Sequence, residues 1–151
     1  MKIAIGCDHG GLILKNEILD LLAASDHQVM DQGTFSSDSV DYPDFAKKVC
    51  DLVEIGACDR GILICGTGIG MSMAANRNEL IRAALCHEIF TARMSREHND
   101  ANVLCLGARV IGPGLALEMV QVWLETKFGG DRHLKRIKMF SKIERSALKA
   151  D

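Results

Sequence analysis

The chain has 151 residues and a formal net charge of -2, and hydrophobic residues make up 48% of it. These values predict one globular domain, residues 1–151, that buries a core of its own. Near-neutral charge argues against nucleic acid or an anionic membrane as the main partner, and no apolar run approaches the ~20 residues of a membrane span. The chain begins without a signal-peptide pattern, and its six cysteines include no CxxC pair. Free thiols in a reducing compartment are therefore expected, which predicts a cytoplasmic protein.

Short apolar runs alternate with longer amphipathic segments along the chain. In order, we predict a strand at residues 3–7, a helix after Gly11, a strand at 28–31, a helix at 42–55 and a strand at 60–65. A helix beginning within 66–73, a strand at 81–86, a helix at 88–98, a strand at 102–106 and helices at 113–127 and 131–150 follow. This alternation predicts an α/β fold, a five-stranded parallel sheet with helices on both faces. The residues expected in its core include Met71, Met73, Met119, Met139 and Trp123.

Reactive side chains directly follow several of the predicted strands. They lie in the segments 7–10 (CDHG), 65–70 (CGTGIG), 86–87 (CH) and 107–109 (GAR). In open parallel sheets, ligands bind beyond the carboxyl ends of the strands. The sequence therefore predicts a ligand site that combines these segments.

The glycine-rich segment at 65–70 follows the clearest predicted strand and opens a helix. Its glycines let the backbone approach a ligand closely, and successive N–H groups can surround an anion. The segment lacks the Gly-Lys-Ser/Thr of a P-loop, and Met71 stands where the third glycine of GxGxxG would fall. A thiol before a helix N-terminus has a stabilised thiolate, so Cys65 is either a reactive group or a core thiol. Core thiols are the expectation for Cys50, Cys58 and Cys105.

Other candidate residues each keep two interpretations when they are taken from the residues alone. Asp8 is a helix cap or, together with His9, a ligand contact. His98 meets a helix dipole at a helix end, or it carries protons. Arg132 and Arg136 stand four residues apart on one predicted helix face, where they form a solvated basic surface or bind a phosphate.

Two further functions are compatible with these patterns. One is a phosphate- or nucleotide-binding regulatory module, which explains the glycine-rich segment and the arginines but needs neither Cys65 nor His98. The other is a thiol or metal enzyme built from residues at strand ends, although no pair among them has a recognised zinc spacing. The residues it would use are Cys7, His9, Cys65, Cys86 and His87.

Four segments, taken together, resemble the ribose-5-phosphate isomerase B family, which includes galactose-6-phosphate and allose-6-phosphate isomerases. They are GCDHGG at 6–11, DYPDFA at 41–46, ILICGTGIGMSMAANR at 62–77 and SREHNDANVLCLGARVIG at 95–112. The resemblance runs from about Met1 to Arg136. It implies a Rossmann-like three-layer sandwich and an aldose–ketose isomerase. The implied reaction interconverts ribose 5-phosphate and ribulose 5-phosphate, a step of the pentose phosphate pathway, through a cis-enediolate.

The resemblance also implies a role for each candidate residue. Cys65 would be the base that moves a proton between C2 and C1, with Thr67 beside it, and His98 would open the sugar ring. Some family members use a glutamate one helical turn later instead, but this chain has no acid at 69–73. Sugar oxygens would contact Asp8, Tyr42 and Asn99, and the phosphate would contact His9, Arg109, Arg132 and Arg136. Backbone N–H groups for the enediolate would come from Gly66, Thr67, Gly68, Ile69 and Gly70.

Assembly and substrate are implied in the same way. The resemblance predicts a homodimer or homotetramer whose active sites are shared between subunits, without a metal or an organic cofactor. The partner is a small-molecule sugar phosphate. Five- and six-carbon substrates both remain open, because a pocket discriminates modestly against one extra hydroxymethyl unit.

Overall fold

One sheet of parallel strands organises the structure, a computed structural model that describes residues 1–140. Within those residues the sheet has five strands, which are β1 (Lys2–Cys7), β2 (Gln28–Asp31), β3 (Arg60–Cys65), β4 (Ala83–Leu85) and β5 (Val103–Gly107). Their order across the sheet is β2-β1-β3-β5-β4. The central strand β3 is covered on both faces, because Ile62, Leu63 and Ile64 have no exposed surface.

Helices cover both faces of this sheet. In the described part of the chain they are α1 (Leu12–Ala23), α2 (Tyr42–Glu54), α3 (Ile69–Ala75), α4 (Ile89–Glu97), α5 (Pro113–Glu125) and α6 (Asp131–Ile137). One core cluster joins α1, α4 and α5 to the sheet around Trp123, and a second joins α2 and α3 to the opposite face around Leu63. The predicted three-layer α/β sandwich is confirmed. No helix among residues 1–140 combines the length and the apolar character that crossing a membrane requires.

Most element predictions are confirmed, and two are wrong in detail. β2 and β3 have the predicted bounds, whereas β4 covers three residues instead of six. The predicted helix at 131–150 is interrupted, because α6 ends at Ile137 and a turn follows at 138–139; the rest of that prediction lies outside the described residues.

The expected core methionines divide into buried and exposed ones. Met71, Met119 and Trp123 are buried, but Met73 is 67% exposed and Met139 is 53% exposed. Met73 lies two positions from both buried residues of α3, which places it on the opposite side of that helix. Met139 follows α6, and among the described residues α6 buries none of its side chains.

The parallel direction gives the sheet two different ends, which we call the carboxyl end, where the strands finish, and the amino end, where they start. The pairs Cys7–Ile64 and Cys65–Gly107 place the finishes of β1, β3 and β5 side by side at the carboxyl end. A connection between parallel strands must cross back over the sheet. Accordingly α4 and α5 finish at the amino end, and α6 begins there.

A partly buried ion pair holds the segment that leads from β2 towards α2. Lys15 of α1 is 1% exposed, and its Nζ contacts the two carboxylate oxygens of Asp31 at 2.8 and 2.6 Å. Asp31 Oδ1 also accepts a hydrogen bond from the Gly33 N–H at 2.9 Å. The Gly33 carbonyl in turn accepts from the Cys7 N–H at 2.6 Å. These contacts fix residues 31–33 alongside the finish of β1.

Candidate active site

The C-terminal ends of three strands converge around Gly10 at the carboxyl end of the sheet. A Cβ atom built on Gly10 would lie 3.3 Å from Asp8 Oδ1, 3.4 Å from the Gly66 nitrogen and 3.5 Å from Arg109 Nη2. These three groups follow β1, β3 and β5 respectively. The structure therefore brings together the segments 7–10, 65–70 and 107–109, as the rule for parallel sheets predicts.

Asp8 is buried and shapes the turn between β1 and α1. Its Oδ1 accepts hydrogen bonds from the N–H groups of Gly10 at 2.9 Å and of Gly11 at 3.1 Å. The N-cap residue of α1 is Gly11, so Asp8 is not itself the helix cap but holds the turn that leads into the helix. Both hydrogen bonds go to Oδ1, so neither of them uses the Oδ2 atom of the carboxylate.

His9 is partly buried and is oriented by the segment before α2. Its Nδ1 accepts a hydrogen bond from the Val40 N–H at 3.3 Å. A ring nitrogen that accepts carries no proton, so the proton of the neutral imidazole lies on Nε2. The fold therefore presents His9 as an N–H donor, which is the polarity that a phosphate oxygen needs.

Cys65 ends β3 beneath the glycine-rich segment and is 5% exposed. Its Sγ accepts a hydrogen bond from the Gly68 N–H at 3.1 Å. An N–H group directed at sulfur stabilises negative charge there. Cys65 is thus buried like a core thiol but hydrogen-bonded like a reactive one.

The other five thiols are in environments that favour the neutral form. Burial raises the pKa of Cys7 to about 11 and that of Cys50 to about 12. Burial also raises the pKa values of Cys58, Cys86 and Cys105. The expectation that Cys50, Cys58 and Cys105 are core thiols is confirmed.

The segment 66–70 turns sharply into α3. Gly68 has φ 77°, a left-handed conformation that favours glycine. Thr67 is exposed, and its Oγ1 accepts from the Ile69 N–H at 3.3 Å. The first intrahelical bond runs from the Ser72 N–H to the Gly68 carbonyl at 3.0 Å, which leaves the Gly70 N–H without a helical acceptor.

Tyr42 reaches this segment from the first residue of α2. A Cβ atom built on Gly70 would lie 2.7 Å from Tyr42 Cζ, so the phenol ring lies directly against the Gly70 backbone. Tyr42 is 39% exposed. The close approach explains why position 70 is a glycine, and it places a hydroxyl-bearing ring against the end of the segment 66–70.

The four remaining candidates lie at the amino end instead. His98 caps the C-terminus of α4, Asn99 follows it, and Arg132 and Arg136 belong to α6. β5 spans five residues, and at about 3.3 Å per residue the two ends of the sheet are about 13 Å apart. Within one chain, the structure does not bring these four side chains to Cys65.

A charged network fixes the turn that carries His98 and Asn99. Asp100 has φ 47° and forms ion pairs with Arg82 at 2.9 Å and with Arg96 at 2.9 Å. The Arg82 Nε also donates to the carbonyl oxygens of Asn99 at 3.2 Å and of Asp100 at 2.9 Å. A cleft of about 620 Å³ opens beside this turn, lined by Arg82, Asn99 and Ile137 among others, and not beside Cys65.

Comparisons with known proteins agree with the fold and with these motifs. The family model described as Ribose/Galactose Isomerase matches residues 3–140. The chain belongs to the ribose/galactose isomerase family. This membership confirms the family resemblance drawn from the four segments and the expectation that the chain is an isomerase.

Individual relatives match over nearly their whole length. The chain is 52% identical over 149 residues to putative sugar phosphate isomerase YwlF of Bacillus subtilis (strain 168), covering 98% of this chain and 100% of that protein. It is 49% identical over 143 residues to ribose-5-phosphate isomerase B of Escherichia coli (strain K12), covering 95% and 96%. The structure of Clostridium thermocellum ribose-5-phosphate isomerase B has a TM-score of 0.95 and 54% identity, covering 97% and 99%.

Two residues outside the four family segments also contact the candidate site. His87 Nε2 lies 3.4 Å from the Thr67 carbonyl oxygen, and the Val40 N–H orients His9. The position of His87 directly after β4 was a usable signal, but nothing in the sequence indicates that residue 40 folds over residue 9. No cluster of three or more His, Cys, Asp or Glu side chains among residues 1–140 is arranged to hold a metal ion. The metal-enzyme interpretation therefore lacks a ligand set in that part of the chain.

We expect Gly68→Ala to destabilise this isomerase-family protein and to disturb the Cys65 environment. The added Cβ would lie 2.5 Å from Leu85 Cδ1 and 3.0 Å from the Leu106 carbonyl carbon. The left-handed backbone costs an L-residue roughly 1–2 kcal/mol in addition. Urea denaturation measures the change in the free energy of unfolding.

The matched control is Gly114→Ala in α5, where no atom lies within 4 Å of the added Cβ and alanine is the better helix former. Equal stabilities for the two variants would show that the 66–70 segment does not depend on the Gly68 conformation.

Proposed function

We propose that this chain interconverts ribose 5-phosphate and ribulose 5-phosphate through a cis-enediolate, in a cytoplasm that keeps its six thiols reduced. The observation that carries the proposal is the Cys65 Sγ, which ends the central strand and accepts the Gly68 N–H at 3.1 Å. This thiol occurs in a chain whose family is that of ribose and galactose isomerases. The reaction needs a base beside oriented N–H groups, and both are present at this position.

Cys65 is the base in this mechanism. Its thiolate removes the C2 proton of the open-chain aldose, and the C2–H electron pair forms the C1=C2 double bond while the carbonyl oxygen gains negative charge. The C2 hydroxyl proton passes to the C1 oxygen, the C2 carbonyl forms as the C1=C2 electron pair takes the proton back from the thiol at C1, and the ketose results. One base serves both carbons because they are adjacent on the same face of the cis-enediolate. Thr67 lies beside this thiol.

The segment 66–70 stabilises the enediolate. Backbone N–H groups at the start of α3, including that of Gly70, have no acceptor within the helix. Oriented donors of this kind stabilise an oxyanion without reorganisation during the reaction. The Gly68 N–H is directed at the base itself, so we assign the remaining N–H groups of the segment to the oxygens.

Substrate contacts follow from the same arrangement. The Nε2–H of His9 and the guanidinium of Arg109 suit a phosphate, together with Arg132 and Arg136 from a partner subunit. Sugar hydroxyls meet the second oxygen of Asp8, Tyr42 and the partner's Asn99. Binding of the phosphate group, away from the reacting carbons, orients the substrate for proton transfer.

Ring opening is assigned to His98 of a partner subunit. The proton on the anomeric oxygen leaves, the C1 carbonyl forms, the bond from C1 to the ring oxygen breaks, and the ring oxygen gains a proton. An imidazole can accept the first proton and supply the second near neutral pH. The aldose then reaches Cys65 in its open form.

We expect Cys65→Ala to abolish both isomerisation and proton exchange. Without a base, deuterium from D2O should not enter C1 of ribulose 5-phosphate, whereas the parent exchanges it during turnover. NMR of the sugar and a coupled isomerisation assay measure the two rates. Gly114→Ala serves as the control, because a Cβ built on Gly114 has no neighbouring atom within 4 Å.

Activity of Cys65→Ala within about tenfold of the parent, less than about 1.4 kcal/mol of barrier, would be incompatible with Cys65 as the base. A parent that binds ribose 5-phosphate yet never exchanges its C2 proton would instead support a phosphate-binding module.

Ribose 5-phosphate is the sugar that we propose as the preferred substrate. The support is the similarity to ribose-5-phosphate isomerase B proteins at 49% and 54% identity. We expect the largest kcat/KM for ribose 5-phosphate in a panel with allose 6-phosphate and galactose 6-phosphate. A six-carbon sugar with the larger kcat/KM would reassign the substrate while leaving the isomerase chemistry intact.

Shared sites between two subunits complete the proposal. Cys65 and its neighbours lie at the carboxyl end, and His98, Asn99, Arg132 and Arg136 lie at the amino end of the same chain. A two-fold dimer that apposes one chain's carboxyl end to its partner's amino end creates two complete sites. Large apolar side chains are exposed near both ends, which fits a contact between subunits. They include Ile69 and Met73 on α3, and Leu134, Met139 and Phe140 on and after α6.

Hybrid dimers test this arrangement. We expect Cys65→Ala to be inactive and Arg132→Ala to have a strongly raised KM, because a charge-assisted contact contributes about 1.5–3 kcal/mol. After random subunit exchange in an equal mixture, half of the dimers are hybrids and each has one intact site. When the substrate concentration is well below the KM of Arg132→Ala, the activity of the mixture should therefore recover to about a quarter of the parent value.

Subunit exchange is verified by native mass spectrometry with one variant isotope-labelled. Verified hybrids without recovered activity would place Cys65 and Arg132 in the same chain's contribution to a site. A monomer with full activity would contradict shared sites altogether.

A further inference from the structure

The imidazole of His98 lies on the imidazole of His133. Their ring centroids are 4.2 Å apart and the ring planes differ by 9°, so the rings are stacked nearly parallel. His98 ends α4, and His133 lies in the first turn of α6. The stack is therefore a contact between the turn at 98–100 and the helix that carries Arg132 and Arg136.

Backbone contacts hold the two helices in the position that the stack needs. The Gly129 N–H, four residues before His133, donates at 2.9 Å to the carbonyl of Glu97, which directly precedes His98. A Cβ atom built on Gly129 would lie 3.1 Å from that same carbonyl oxygen. The approach is close enough that the start of α6 cannot shift along α4 without losing this hydrogen bond.

The charged groups around the pair favour one neutral ring. Burial, followed by positive charge on His98, Arg132 and Arg136, lowers the pKa of His133, and Glu97 opposes this effect weakly. Arg132 Nε also donates to His133 Nε2 at 3.4 Å, a contact that uses an unprotonated nitrogen. Two imidazolium rings stacked face to face would repel each other. The lowered pKa of His133 thus favours the neutral form of that ring.

We propose that His133 is a positioning residue for ring opening, acting by fixing the plane of the His98 imidazole. The inference rests on the proposed function, in which His98 serves the partner subunit's site. In ring opening, the nitrogens of His98 must meet both the anomeric oxygen and the ring oxygen. The stacked His133 ring covers one face of the His98 ring and leaves the edge with the nitrogen atoms exposed. The His98 nitrogens therefore point in one fixed direction.

The same helix links ring opening to phosphate binding. Arg132 and Arg136 flank His133 on α6, and the stack connects α6 to His98. A phosphate that orders α6 therefore also orders the ring-opening imidazole. Removing the stack should impair ring opening while leaving proton transfer at C1 and C2 intact.

A pair of substrates separates these two steps. Ribose 5-phosphate enters as a closed ring, whereas ribulose 5-phosphate has no ring form, because the hydroxyl that would close it carries the phosphate. For His133→Ala, we expect kcat/KM for ribose 5-phosphate to fall about tenfold or more, with deuterium exchange at C1 of ribulose 5-phosphate within about threefold of the parent. His133→Phe keeps a planar ring at this position and should restore most of the loss. His98→Asn is the reference, and it should show the same selectivity.

Lys135→Ala is the matched control on the exposed face of α6 and should behave like the parent in both assays. Equal losses of isomerisation and exchange in His133→Ala would overturn the positioning role, because they would indicate general damage to α6. Failure of His133→Phe to restore ring opening would also overturn it.

NMR of the His98 ring protons supplies a readout that does not depend on activity. His133→Ala should remove the ring-current shielding of those protons, and His133→Phe should keep it. If the parent is an active isomerase but the His98 resonances are unchanged in His133→Ala, the positioning role of His133 is refuted and the proposed function is not. A parent with the stacking signature but without isomerase activity would refute the proposed function, and with it the role of His133.

Discussion

The parallel direction of every strand in the sheet is the constraint on which the site depends. It collects the finishes of β1, β3 and β5 at one end, where Asp8, Cys65 and Arg109 meet around Gly10. The same constraint sends each helix back to the other end. Residues that follow a strand and residues that follow a helix are therefore separated by the length of the sheet. His98 follows a helix, so no local rearrangement of its turn can bring it to Cys65 of the same chain.

Close backbone packing defines the carboxyl end. Gly68 adopts a left-handed conformation so that its N–H reaches Cys65 Sγ, and Gly70 lies against the ring of Tyr42. Cys65 is buried and accepts this N–H, whereas burial is the main cause that raises the pKa values of Cys7 and Cys50. A glycine-rich turn that resembles a phosphate loop is consequently built around a sulfur atom, which accepts the Gly68 N–H.

Much of the fold could be predicted from the sequence, since apolar runs such as 60–65 have only one reasonable role in an alternating pattern. The convergence of the segments after β1, β3 and β5 was also predictable, because it follows from parallel strands alone. The strand order, with β4 outside β5, was not, and neither was the contact of His9 with Val40. Both depend on packing between segments distant in sequence. The misplaced Met73 shows a related limit, because helical periodicity in a seven-residue helix is too short to identify its buried face.

The amino end shows how a second set of residues is made rigid without a core of its own. α6 buries none of its side chains among the described residues, yet the turn beside it is fixed by Asp100 between two arginines. The ring stack and the Gly129 hydrogen bond then attach α6 to that turn. Directional polar contacts, rather than apolar burial, set the geometry here. Such a surface exposes its arginines and the edge of an imidazole, and these are the groups that the proposed shared site takes from a partner subunit.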